Sequence, residues 1–129
     1  MTKKEPQNLT SLNQIRAFVM TLTGVEEGPP VRAARRIAAF KVAGKSFLGI
    51  ENGEVTMTVS LDAEQAKALA AAHPEACEEI WRNHKTLLGL RVELSKLPRR
   101  KVFELIEESW RFTAGAHSAA IQARHSGVE

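Results

Sequence analysis

Hydrophobic positions change period several times along this chain, and those changes outline the expected elements. Leu12, Ile15, Phe18, Val19 and Leu22 recur at helical spacing. Ser11 and Gln14 before them have capping-box spacing, so a helix is predicted over 10–22, closed by Thr23-Gly24. Val25-Glu26-Glu27-Gly28-Pro29-Pro30 reads as an extended connector, because paired prolines exclude regular helix. Strands are predicted over 35–42 and 45–50 around a tight Ala43-Gly44 turn, and over 55–59 after Asn52-Gly53. A two-residue loop at Asn52-Gly53 would set Ile50 opposite Val55 and Leu48 opposite Met57 on the core face, with Phe47 turned away and facing Thr58. With Ala43-Gly44 also a two-residue turn, Phe40 would lie opposite Phe47 on that second face, near Arg36.

The second half repeats the alternation. An alanine-rich helix is expected over 62–72, with Asp62 and Gln65 at N-terminal capping spacing and His73-Pro74 closing it. Residues 77–81 form a short strand or an irregular segment. From Lys85 to Leu94, Leu88, Leu90, Val92 and Leu94 line one face of a half-buried strand, with Gly89, Arg91 and Glu93 on the other. Ser95, with Pro98 in the first turn, is expected to start a last helix. Its stripe is Val102, Leu105, Ile106, Ser109 and Phe112, with Phe103 and Trp110 on the flank and Gly115 as a stop signal. The order helix, hairpins, helix, strands, helix predicts an α+β fold. It should be a two-layer α/β sandwich, with an antiparallel sheet and helices on one face. Residues 1–9 are expected to be a disordered tail, 10–114 the single domain, and 115–129 a frayed C-terminal tail.

The chain has 129 residues, 43% of them apolar and 26% charged, which is enough to bury one core without staples. The lone Cys77 excludes an internal disulfide and suggests a reducing, cytoplasmic location. No apolar run approaches the ~18 residues of a spanning helix, so no membrane partner is expected. Net charge is only +3, but it is unevenly distributed. Arg32, Arg35, Arg36, Lys41 and Lys45 form an acid-free basic stretch, and seven cations between Trp81 and Lys101 face Glu93 alone. Residues 46–80 carry seven acids against Lys67. Cationic segments brought together on one face would attract a polyanion; kept apart, they are ordinary solvated charge.

Catalytic chemistry has no support in the chain. It lacks a phosphate loop, a dinucleotide fingerprint and a nucleophile elbow. His73, His84, His117 and His125 have no ligand spacing with each other or with Cys77, so no metal or other cofactor is expected. Glu75, Glu78 and Glu79 around Cys77 would raise its pKa rather than activate it. A non-enzymatic monomer is the expectation.

Two aromatic features remain open. Phe40 and Phe47 are either covered by a second layer or exposed beside cations for stacking or for gripping a partner. Trp81 is either a packing anchor or a platform within the basic stretch.

The ordered set of segments resembles one family. Val25-Glu26-Glu27-Gly28-Pro29-Pro30 is similar to the opening of MmcQ/YjbR proteins. Phe40-Lys41-Val42-Ala43-Gly44-Lys45-Ser46-Phe47 looks like their F-x-V-x-G-K-x-F signature, and Trp81 to His84 resembles their W-x-x-H element. The resemblance spans roughly 10–114. It departs at Lys85-Thr86, where family members usually carry Gly-Trp. It implies a CyaY-like, frataxin-type sandwich and a DNA-binding role through paired hairpins. Iron binding of the frataxin kind does not carry over, because the first helix has no carboxylate. The expected phosphate contacts are Arg35, Arg36, Lys41, Lys45, Lys85 and Arg91, with Phe40, Phe47, Trp81 and His84 as stacking or interaction residues. The other expectation is a protein-interaction or regulatory domain that uses the exposed sheet face.

Overall fold

The structure is a computed structural model and describes residues 10–29, 36–51, 53 and 55–128. The expected tail at 1–9 lies outside these residues. Helix α1 (Leu12–Val19) starts at the predicted cap: Ser11 Oγ accepts from Gln14 N, and the Gln14 side chain accepts from Ser11 N at 2.9 Å. The segment expected to be a connector contains an edge strand, β1 (Val25–Gly28), because Gly28 and Pro29 end the pairing rather than prevent it. Then come β2 (Arg36–Val42), β3 (Lys45–Glu51), β4 (Thr56–Ser60), α2 (Ala63–Ala72), β5 (Cys77–Arg82) and β6 (Thr86–Glu93). A short 3-10 turn at Leu94–Lys96 occupies the predicted start of the last helix, which instead begins after Pro98. That helix, α3 (Arg99–Val128), runs through Gly115 without stopping.

The strands form one antiparallel sheet in the order β1-β2-β3-β4-β6-β5. Rows of apolar side chains cross it on a single face. One row is Ala38, Ile50, Met57, Val92 and Cys77; the next is Phe40, Leu48, Val59 and Leu90. All three helices described contribute buried residues to this side: Ile15 and Val19, Ala66, and Val102, Leu105 and Ile106. The α+β sandwich with helices on one face is therefore as expected. Phe18 and Phe103 stack at 4.5 Å between α1 and α3, and a two-pronged Arg16–Glu27 pair ties α1 to β1.

Register departs from expectation in two instructive ways. The β3–β4 loop is four residues long, 52–55, so Ile50 faces Met57 and Leu48 faces Val59. The shift is by two residues and preserves parity, so the predicted core face survives. In the β2–β3 hairpin the Ala43-Gly44 turn is as predicted, with φ of +55° and +79°. The pairing then slips by one at Phe47, so Phe40 faces Leu48 rather than Phe47. A one-residue slip inverts every side chain beyond it. Phe40 and Phe47 consequently both enter the core, at 0% and 1% exposure. A second one-residue slip, at Leu88 in β6, buries Leu87 and exposes Leu88, the reverse of the predicted alternation.

Ser109 of α3 secures the first of these slips. Its buried Oγ donates to the Phe47 carbonyl at 2.7 Å and accepts from Ser60 N at 3.1 Å, bridging β3 and β4 where their direct pairing ends. Phe112, expected on the same buried stripe, is exposed, and Thr113 takes the buried position. Replacing Ser109 by Ala would leave two backbone groups without a partner. Urea denaturation should show a loss of about 2–4 kcal/mol, with circular dichroism at low denaturant unchanged.

Candidate nucleic-acid interface

Antiparallel order places the β2–β3 and β5–β6 turns at the same end of the sheet, together with the end of β4. Three strand spacings separate them, roughly 14 Å at the usual inter-strand distance. The turn of the second hairpin needs two left-handed residues, Asn83 (φ +54°) and His84 (φ +58°), and closes with Lys85 N donating to Arg82 O. Between the hairpins lies a cleft of about 400 Å³, lined among others by Lys45, Ser46, Thr86, Leu88 and Phe112.

The expected phosphate contacts fall into three groups. Lys45 and Lys85 stand exposed at the two turns, with Lys41 exposed just before the first. None of these lysines forms an ion pair among the described residues. Arg91 belongs elsewhere. It lies on the open sheet face toward the opposite end, where Glu51 grips it at 2.8 Å across β4 and Glu78 approaches to 3.6 Å. Hydrogen bonding to Glu51, then its charge, raises the Arg91 pKa further, so this cation is held and locally neutralised. Arg36 forms the third group, lying over Gly49 on the same open face. Arg35 lies outside the described residues.

The aromatic expectations divide similarly. Phe40 and Phe47 are core residues and give the open sheet face no stacking pair, so a partner surface built on them is withdrawn. Trp81 is exposed at the end of β5, with Nε1 donating to Glu79, and His84 is exposed in the adjoining turn. Arg82, exposed beside it, was not among the expected contacts. Its place in a basic run next to Asn83 was the available signal.

The opposite end of the sheet carries charges of both signs, with Lys96 paired to Glu93 and Lys101 near Cys77. Glu75, Glu78 and Glu93 line a cleft of about 360 Å³ that includes Arg91. Among the described residues, no group of three or more His, Cys, Asp or Glu side chains is placed to hold a metal ion. Cys77 is buried; burial, then Glu75, push its thiol pKa up, against a smaller opposing effect of Lys101. A raised folded-state pKa favours the neutral thiol. Its contribution to stability is therefore complete below the unfolded value and is lost as pH rises through the folded one. Iodoacetamide at pH 8 should alkylate native Cys77 at least about tenfold more slowly than the urea-unfolded chain, as followed by mass spectrometry.

Comparison with known proteins agrees with this architecture. A family model described as YjbR matches residues 20–112. The solved structure of Deinococcus radiodurans protein DR2400, with a DUF419 domain, superposes with a TM-score of 0.64 at 20% identity, covering 80% of this chain and 78% of that one. At that identity the likeness speaks for the fold alone. No curated protein matches the chain. With more than half of its residues covered by the family model, including both hairpins, the chain belongs to the YjbR family.

Proposed function

We propose that this chain is a non-enzymatic DNA-binding protein, acting as a cytoplasmic monomer. It holds phosphates with the ends of its two hairpins. The observation that supports this is the placement of Lys41 and Lys45 about one turn and Arg82 and Lys85 about the other, exposed and in no ion pair among the described residues, with Glu26 facing Lys41 across the strand pair. Their roughly 14 Å separation is comparable with the about 12 Å width of the B-DNA major groove. Two cationic tips can therefore meet phosphates on either side of it.

The four proposed contacts are cations that meet phosphates. Affinity is therefore largely independent of sequence and strongly dependent on salt. Four contacts predict a slope of log K against log salt of about −3.6 for duplex DNA. Fluorescence anisotropy with a labelled duplex between low and moderate salt measures it. Replacing Lys41, Lys45, Arg82 and Lys85 together by Ala should flatten the slope, while Arg91→Ala leaves it nearly unchanged. A flat slope in the unmodified protein, or unaltered affinity in the fourfold variant with its unfolding midpoint preserved, would overturn the proposal.

A further inference from the structure

The open sheet face holds a second feature, adjoining the cleft between the hairpins and sharing Ser46, Ser60 and Leu88 with it. Arg36 stands opposite Glu51 in register, the natural cross-strand partner. Glu51 is instead taken by Arg91 from across β4. The Arg36 side chain folds the other way, over Gly49. A Cβ at Gly49 would lie 2.6 Å from Arg36 Cδ and 2.7 Å from its Nε, so only glycine leaves room for the side chain to lie flat on the sheet. Arg36 lines a cleft of about 140 Å³ together with Ser46, Thr58 and Ser60, floored by Gly89. Gly89 is equally constrained, since a Cβ there would run into the Val59 carbonyl. No carboxylate lines the cleft, and Arg36 makes no ion pair among the described residues.

We propose that this cleft is an oxyanion site that takes a terminal phosphoryl group, with Arg36 supplying the charge and Ser46, Thr58 and Ser60 the hydroxyl donors. A guanidinium has five donors in a rigid fork and matches a tetrahedral oxyanion. Three hydroxyls on two neighbouring strands and the hairpin beside them complete a small, charge-complementary cup. Its volume suits one such group, and Arg36 and Thr58 set it apart from the inter-hairpin cleft, which they do not line. The proposal does not rest on the DNA reading, and each can fail alone.

Titration with inorganic phosphate, followed by amide chemical shifts, tests it. Saturable shifts are expected at Ser46, Thr58, Ser60 and Gly89. Arg36→Gln should weaken binding by about tenfold or more, the scale of a lost hydrogen bond to a charged group. Gly49→Ala keeps every charge but displaces the Arg36 side chain, and should weaken binding too. Ser46→Ala, at an exposed position, supplies a milder variant should the glycine replacement not fold. Removing Arg82 and Lys85, which do not line the cleft, should leave phosphate binding intact, and Arg36→Gln should leave the salt slope for duplex DNA nearly intact.

A 5′-phosphorylated oligonucleotide that binds more tightly than its unphosphorylated form, in an Arg36-dependent way, would assign the site to strand ends. Phosphate binding without that gain would assign it to a small phosphorylated metabolite. Shifts that do not saturate, that centre on the Asn83-His84 turn, or that survive Arg36→Gln unchanged would overturn the site.

Discussion

The hydrogen bonds of one buried serine hold the sheet in its register. Where β3 slips by a residue at Phe47, its carbonyl and the amide of Ser60 are not joined directly, and Ser109 of α3 bridges them. A buried unpaired carbonyl or amide is costly, so the helix and the slip require each other. With the slip in place, both phenylalanines of the hairpin point into the core, and the helical layer gains its two largest fully buried side chains. Along β2, β3 and β4 the open face of the sheet presents small and polar residues, Ala39, Gly49, Thr58 and Ser60, beside Ile80 and Leu88 of the last two strands. The division between a packed face and a chemically usable one follows from this bridge.

Much of the architecture was legible because it rests on local chemistry. The Ser11–Gln14 box, the Asp62 cap and the Ala43-Gly44 turn each depend on contacts within a few residues, and all three stand where the sequence places them. The core face of β3 and β4 was also legible, even with the wrong loop length, because an error of two residues leaves side-chain parity intact. The slips at Phe47 and Leu88 were not. A β-bulge is stabilised by what crosses it, here a serine 62 residues away, and no period-two pattern encodes that. Placing Phe40 opposite Phe47 on the second face was the direct result.

The candidate site was legible to a similar degree. Basic segments were apparent from composition, and two of their lysines do sit at the hairpin ends. Arg91 was not separable from them, because its partner Glu51 lies 40 residues away on a strand that is not its neighbour. Pairing across an intervening strand depends on sheet order, which hydropathy does not carry. The role of Gly49 had a faint local trace, an isolated glycine within an apolar strand, which often marks a close approach.

Sheet order has one more consequence, for how the molecule behaves in a crowd. Strands β1 and β5 form the two margins, each with a row of backbone donors and acceptors that another chain could join. The first margin is only four residues long, carries Glu26 and Glu27, and is followed by Pro29. The second bears Glu78, Glu79 and Arg82 along its length. A strand from a neighbouring copy would have to set glutamates against glutamates to extend the sheet at the first margin, whereas at the second an antiparallel copy could set Glu78 against Arg82. The fold thus blunts one margin against fibril growth more firmly than the other.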